Sequence, residues 1–361
     1  MGPSTGHDSM PSYWRDAMAL TFCLISLERL NKVVTFLYKV FGITDLPPNF
    51  SPEALAWKYF VVHPWWPTSR SYVLETESGI AAHGCVAPIR FAAGDAVLES
   101  MVIIDWASGK IAPGAGLLLF QRCMELRKSS LLAIGGSRET LRILPRLRWF
   151  APQADLHWYA RPLKPWRRFL RSRRGTRDLL KFFRNLKWSL FPALPASGKW
   201  TCRLARADDP VFTPAGDFVP IQRTRAWIDY LSACPVAKCS LWILECEDEP
   251  CGHALVAHLG GSARLADFAL GGQPKPEAAT QAFSALVRTL EADNDLLELV
   301  AGSSLARDTT AFRACGLRHR HSSPVWLADP QKAFPQKSPV EIKPMLGDTF
   351  YLYDPSNPFQ L

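Results

Sequence analysis

The sequence predicts an α/β (α+β) fold made of two similar modules in tandem, each a mixed, mostly antiparallel central sheet flanked by helices. Three observations carry this expectation. The first is an internal repeat. At an offset of 170 residues, Ala56-Trp57 corresponds to Ala226-Trp227, Tyr72-Val73-Leu74-Glu75 to Trp242-Ile243-Leu244-Glu245, Glu77 to Glu247, His83 to His253, and Val86-Ala87 to Val256-Ala257. At shorter offsets Asp105-Trp106 meets Asp267-Phe268, and Gly136-Ser137 meets Gly302-Ser303. Matches that keep their order and shift only at loops mark a duplication, and such self-similarity settles the domain count before any motif does. The second observation is length: 361 residues is long for one domain. The third is that short strand-like runs alternate with helical patterns in the same order in both halves. The boundaries expected are a leader or tail over 1–17, a first module over 18–165, a basic connector over 166–198, and a second module over 199–361.

The elements follow in order. Leu20–Ser26 reads as a buried strand, and Leu27–Phe41 then spaces Leu30, Val33, Val34, Leu37 and Tyr38 for a helix. Ser51-Pro52 supplies a cap and a first-turn proline for the next helix. Tyr72–Glu75, Ile80–Pro88 and Val97–Trp106 are strands separated by Gly79 and Gly94-Asp95. A flexible loop over Gly109–Gly116 leads to a helix at Leu117–Arg127, a strand at Leu131–Ile134, a helix capped by Gly135-Gly136-Ser137, and a strand at His157–Ala160. In the second half, strands are expected at Thr201–Ala205, Leu241–Glu245, Gly252–Leu259, Arg264–Leu270, Leu297–Ala301 and Phe350–Tyr353. Its helices are expected at Thr224–Leu231, Glu277–Glu291 and Ser303–Cys315.

Composition bounds the function classes. At 48% hydrophobic and 21% charged residues the chain buries a sizeable core. Forty-two Lys and Arg against 33 Asp and Glu leave a net charge of +9, which favours an anionic partner without choosing one. Cys23, Cys85, Cys123, Cys202, Cys234, Cys239, Cys246, Cys251 and Cys315 are scattered, several within apolar runs, as reduced core thiols are; no metal site is expected. No run nears the roughly 20 apolar residues of a membrane span. Met18–Leu27 lacks the basic flank of a signal peptide. The expected location is the cytoplasm, with peripheral contact to the inner face of the membrane through the connector.

That connector is the most biased stretch. Between Arg161 and Lys187 basic residues are interleaved with Trp166, Phe169, Leu170, Leu179, Leu180, Phe182, Phe183 and Leu186, and Asp178 is the lone acid. One or two amphipathic helices broken near Gly175 are expected. The alternatives are a solvated face, or a surface for an acidic acyl carrier protein or an anionic membrane.

The order strand, helix, helix, three strands, helix, strand, helix, strand, with Gly114-Ala115-Gly116 between the fourth strand and the third helix, resembles the GNAT acyltransferase superfamily. The Trp57-Lys58-Tyr59 helix and the Arg161–Pro165 connector are similar to those of bacterial members tied to polysaccharide or specialised-metabolite pathways. The resemblance implies that the pyrophosphate of acetyl-CoA or another acyl-CoA lies against Gly114, Ala115, Gly116 and Leu117. There, amides at a helix start face the anion. Ile111 and Pro113 stand where the family places cations or Gln, and Lys110 is the residue left to supply charge. In the second half the corresponding Gly271-Gly272-Gln273-Pro274-Lys275-Pro276 loses donors to two prolines and reads as a degenerate copy.

Acyl transfer to an amine needs a base for the ammonium proton, an oxyanion donor, and an acid for the thiolate. The resemblance points to a carboxylate on the fourth strand: Asp105 at its end, then Glu99. Asp105 also suits a cap for the Ala107–Gly109 turn, and Glu99 a solvated strand position. His83 is a further base candidate, although its recurrence as His253 suits packing equally well. The family's acidic tyrosine has no counterpart between Ser137 and Arg148. Either the thiolate leaves as the anion, or Tyr159 reaches in, or this copy does not catalyse. Two readings result: an acyltransferase, N- more than O-, acting on a small molecule or sugar, and a non-catalytic acyl-CoA-binding or scaffold protein. Nucleic acid is a weaker third, since no reader motif accompanies the charge.

Overall fold

Local chemistry starts the first half. Leu30, Val33 and Leu37 line the buried side of α1 (Leu30–Phe41), and Gly42 closes that helix in the left-handed conformation. Ser51 accepts a bond from the amide of Ala54 and caps α2 (Pro52–Phe60), with Pro52 in the first turn. The computed structural model describes residues 20–44, 47–126, 130–171, 176–191, 193–335, 338–347 and 350–351. The early strands are β1 (Thr21–Leu24), β2 (Ser71–Thr76), β3 (Gly79–Ala93) and β4 (Ala96–Ser108). Then come α3 (Ala115–Glu125), β5 (Ser130–Ile134), α4 (Arg138–Ile143) and β6 (Ala151–Pro162). The connector is a pair of helices, α5 (Pro165–Arg171) and α6 (Thr176–Leu190).

The second half repeats the pattern: β7 (Trp200–Leu204), α7 (Arg225–Ser232), β8 (Lys238–Cys246), β9 (Glu249–Leu259) and β10 (Ser262–Leu270). It ends with α8 (Pro276–Ala292), β11 (Glu298–Ser303), α9 (Ala306–Ala314) and β12 (Arg318–Ala328). Among the described residues twelve strands form one sheet in the order β1-β2-β3-β4-β5-β12-β6-β11-β10-β9-β8-β7. Neighbours pair antiparallel except β4 with β5 and β10 with β11, which are parallel.

This order is an exchange. The last strand of each half lies beside the penultimate strand of the other: β12 pairs with β5 through Val325–Ile134, and β6 pairs with β11 through Ala160–Val300. β6 and β12 pair with each other at the centre, giving the strand order a pseudo-two-fold symmetry. The repeat partners His83 and His253 fall on β3 and β9, equivalent positions in that symmetry.

Three expectations change. The final strand is Arg318–Ala328, and Phe350 and Tyr351 lie in a turn; Leu352 and Tyr353 lie outside the described residues. Polar Arg318–Ser323 carries little strand signal, and pairing on both edges holds it extended. The helix expected from Leu117 begins two residues earlier, at Ala115. The one expected from Ser303 begins at Ala306, because β11 runs to Ser303.

The start of the basic connector is tied down. Arg161, 3% exposed, bonds the carbonyls of Cys315 at 2.9 Å and Ser189 at 3.0 Å. Lys164 bonds the Glu291 carbonyl, and Arg168 pairs with buried Glu298 at 3.4 Å.

Because β5 and β11 each take a strand from the other half, residues 18–165 produced alone should lack a cooperative transition or should aggregate through the open edge of β5. Co-production with 199–361 should restore a single transition. A monomeric, cooperatively melting 18–165 would contradict the exchange.

Candidate functional site

In the first half β4 pairs with β5 only from Ser100 to Val102; beyond that the two parallel strands diverge. Along the free stretch β4 carries a bulge. Ile104 is opposite Cys85 and Ala107 opposite His83, so Asp105 and Trp106 together face Gly84. Gly84 has room for nothing more, since a Cβ there would stand 3.2 Å from Ile103 and 3.3 Å from Leu119. Asp105 takes the bend with φ of 50°, a left-handed conformation that Asp tolerates better than most residues.

The bulge turns the Asp105 carboxylate into the protein. It pairs with Lys58 Nζ at 3.1 Å and accepts the Tyr59 hydroxyl at 2.8 Å; the two charged side chains are 2% and 1% exposed. Its place is therefore in an ion pair with α2, and not on the Ala107–Gly109 turn. The Asp105 carbonyl accepts from His83 Nδ1 at 2.9 Å, which leaves His83 Nε2 to accept from the Ser71 hydroxyl at 3.0 Å. Both ring nitrogens are thus committed. His83 is fully buried, and burial lowers its pKa to about 4, so it is neutral near pH 7. Glu99 lies apart, at the other end of β4, in an exposed pair with Arg90 at 2.7 Å. The structure brings Asp105 and His83 together and leaves Glu99 outside.

Lys58 and Tyr59 were not singled out from the sequence as site residues, although the Trp57-Lys58-Tyr59 motif contains both. Arg70 was missed too. It is 1% exposed and bonds the Lys58 carbonyl at 3.0 Å and the Val61 carbonyl at 2.8 Å, closing the C-terminal end of α2. It also reaches the Tyr230 hydroxyl in the second half at 2.9 Å. Trp57 stacks on Tyr230 at 5.1 Å, and Trp65 packs on Trp227 at 4.9 Å. These groups surround a cavity of about 30 Å³ shared with Met345, Gly347 and Tyr351, enough for one water molecule. Tyr159 does not enter this region. It packs on Phe312 and His319 in the second half's core. Trp65 and Trp66 are core residues, while Trp149 packs edge-on with Phe120.

The loop after β4 has the shape that an anion needs. Gly114 opens α3 with φ of 86°, and a Cβ there would meet open space. Gly116 is packed closely: its Cβ would stand 3.0 Å from the Ser108 side chain. Trp106 Nε1 donates to the Gly116 carbonyl at 3.0 Å and fixes the first turn to β4. Ala115 and Leu117 use their amides within the turn, on the carbonyls of Ala112 and Gly114. Those of Gly114 and Gly116 have no partner among the described residues. Beside the loop runs an open groove of about 910 Å³ whose lining includes Phe36, Val40, Ile80 and Ile111, the cations Lys32, Lys39 and Lys110, and one acid, Glu75.

The second half is closed at both corresponding places. Gly272 is left-handed and faces open space there too, but Ala215 donates to its carbonyl at 2.9 Å, Gly271 donates to the Cys251 carbonyl at 2.9 Å, and Pro274 and Pro276 have no amide to offer. The gap between β10 and β11 is filled by residues 340–346 of the chain itself. Met345 donates to the Ala266 carbonyl, Ser304 donates to the Ile342 carbonyl, and Pro344 covers Gly302. A buried charge network pins this segment. Arg223 bridges Asp267 at 2.7 Å and Glu341 at 2.8 Å, and Lys343 pairs with Asp308. His253 receives the Phe212 amide on Nδ1 and donates Nε2 to Asp267. Burial works against ionisation of Asp267, but Arg223 outweighs it and holds the carboxyl far below the usual range.

A histidine whose folded pKa lies below its unfolded value binds its proton first in the unfolded chain, so acid favours unfolding. For His83 the stability is full above pH 6.5 and is lost as pH falls toward about 4, by up to about 3 kcal/mol. His63, lowered to about 3 by burial and then by Arg70 and Arg90, acts in the same direction. Urea unfolding at a series of pH values should show this loss, and His83→Asn should flatten it. A wild-type profile level between pH 6.5 and 4 would contradict the assignment.

No family model matches the sequence, and no curated protein is similar to it in sequence. Solved structures do resemble it. N-myristoyltransferase of Saccharomyces cerevisiae with bound myristoyl-CoA superposes with a TM-score of 0.56 at 14% identity, covering 91% of this chain and 87% of that one. A GCN5-related N-acetyltransferase from Anabaena variabilis gives 0.55 at 11% identity, with 85% and 72% covered. A probable N-acyltransferase from Enterococcus faecalis gives 0.53 at 9% identity, with 86% and 73% covered. The chain has a GNAT-like fold, a mixed α/β architecture with a large, mostly antiparallel sheet flanked by helices.

Proposed function

We propose that this protein is an acyltransferase that takes its acyl group from acyl-CoA bound in the first half. One observation carries the reading. The turn at Gly114–Gly116 combines a left-handed glycine facing open space with two amides at a helix start that have no partner among the described residues, while in the second half the Gly271 amide is bonded to Cys251 and Pro274 and Pro276 bring no amide to the loop. A diphosphate fits such a start, because the amides point at it and the helix dipole adds to the attraction. Lys110, Lys32 and Lys39 suit the remaining phosphate charge, and the apolar walls of the groove suit a pantetheine or acyl chain. The structural neighbours support the reading by their names: an N-acetyltransferase, a probable N-acyltransferase, and an N-myristoyltransferase holding myristoyl-CoA. The acceptor in this proposal is an amine of a small molecule or sugar.

The acceptor nitrogen attacks the thioester carbonyl and forms the C–N bond, the C–S bond breaks with its electron pair going to sulfur so that CoA leaves as the thiolate, and the nitrogen gives up a proton. Asp105 is the group proposed to take that proton, directly or through a water. Lys58 balances its charge, and Tyr59, donating at 2.8 Å, holds its orientation. A non-catalytic acyl-CoA binder is the second reading. It is favoured by the missing tyrosine between Ser137 and Arg148 and by the committed state of the Asp105 carboxylate.

Calorimetry tests the donor site. Gly114→Val puts a β-branched residue at φ of 86°, and the variant should bind CoA at least about tenfold more weakly. Unchanged affinity would move the donor elsewhere. With an acceptor in hand, Asp105→Asn should lower kcat by about a hundredfold with CoA affinity retained. Tyr59→Phe, which keeps the ion pair, serves as the folding control. Full activity in Asp105→Asn would leave Asp105 a fixture of the bulge.

A further inference from the structure

The connector helices carry their apolar residues on the outside. Along α6 the side chains turned to solvent are Leu179, Leu180, Phe183 and Leu190, continued by Phe191; Leu180 is 72% exposed and Phe191 64%. These positions recur at three and four residues, so they form one stripe. On α5, Trp166 and Leu170 are exposed at the same spacing. Phe169 packs on Phe182 at 5.0 Å, which joins the two helices. The inward side is mixed: Trp188 packs against the core, Asn185 is buried, Arg184 lies over Trp188 at 4.5 Å, and Arg168 reaches Glu298. A surface helix of a soluble domain keeps its large apolar residues off the solvent side, and a contiguous exposed apolar face marks a site of association.

Charge identifies what meets that face. From Arg167 to Lys187 the sequence contains nine Lys and Arg and one acid, Asp178; of these cations Arg168 and Arg184 turn inward and Arg167 donates to the Asn294 carbonyl. Arg167 lies over the Trp166 ring at 5.1 Å, and Lys187 stands in the stripe between Phe183 and Leu190. We propose that α5 and α6 dock this face on an anionic lipid surface, with the leucine and phenylalanine side chains entering the acyl boundary and the cations at phosphate level. Among the described residues no helix is long and apolar enough to cross a membrane, so the contact is interfacial. A second copy fits poorly, because it would press two cationic helix pairs together. An acidic protein would answer the cations but leave protruding side chains such as Leu180 and Phe183 without a matching depth.

The test is co-sedimentation of the full chain with phosphatidylcholine vesicles and with vesicles containing phosphatidylglycerol. Binding should require the anionic lipid and weaken as ionic strength approaches physiological, where screening acts beyond about 8 Å. Leu180→Asp with Phe183→Asp should weaken it by about a hundredfold. Lys181→Gln with Lys187→Gln should weaken it by about tenfold on anionic vesicles and reduce its salt dependence. All variants should melt with the wild type, since Leu180, Phe183 and Lys187 face solvent. Failure to sediment with anionic vesicles, or equal binding by every variant, overturns the proposal. A dimer seen in ultracentrifugation and broken by Leu180→Asp, or capture by an acidic carrier protein in place of vesicles, overturns it in favour of that partner.

Discussion

The exchange of final strands between the halves is the constraint from which the rest follows. A strand inside a sheet must satisfy donors and acceptors on both edges. β5 satisfies its outer edge with β12, and β11 does so with β6. The two halves therefore share one sheet, and their equivalent helices α2 and α7 meet on the same face. Trp57 stacking on Tyr230 and Arg70 bonding the Tyr230 hydroxyl are products of that closure. The Arg70 guanidinium donates to the carbonyls of Lys58 and Val61 at the end of α2 and, at the same time, to the Tyr230 hydroxyl of the second half.

Duplication supplied two equivalent clefts, and their surroundings made them different. Both halves keep a histidine on the third strand and an aspartate at a bulge in the fourth. In the second, Asp267 is enclosed by Arg223 and His253, and Glu341 balances the same guanidinium. Buried ions are tolerated when paired and hydrogen-bonded, whereas removing one partner strands the other at a cost of about 3–5 kcal/mol. The returning C-terminal segment is thus held in the second cleft by charge as well as by backbone bonds to Ala266 and Ser304. In the first half the same segment packs Gly347 on Val102 and Ile104 and Tyr351 on Trp57, and the glycine at 114 remains open.

The basic connector shows how folding sorts a run that looks uniform. Arg161, Lys164 and Arg168 join the connector to the second half. Arg184 is drawn inward onto Trp188, and Lys187 stays at the surface among apolar side chains. Charge density alone makes no such distinction. It emerges because the carbonyls and carboxylates of α8, β11 and α9 capture the cations nearest to them.

The sequence by itself determined what short-range chemistry and self-similarity can carry. Ser51 and Ser137 announced helix starts because a hydroxyl two or three residues upstream answers free amides. The pairing of His83 with His253 showed the duplication, and Gly114-x-Gly116 located the turn before α3. Tertiary structure alone decided the fate of residues whose partners lie far along the chain. Arg318–Ser323 is a strand because β6 holds it, although nothing in its polar sequence alternates like one. Asp105 meets Lys58 and Tyr59, rather than its own turn, because a bulge in β4 rotates it toward α2. Residues 340–346 fill a cleft that lies between β10 and β11, and α6 leaves Leu179, Leu180 and Leu190 exposed while Asn185 is buried and Trp188 packs on the core. Local signals report backbone preference and which residues are apolar. Register, burial and ion pairing depend on which distant segments arrive at the same place.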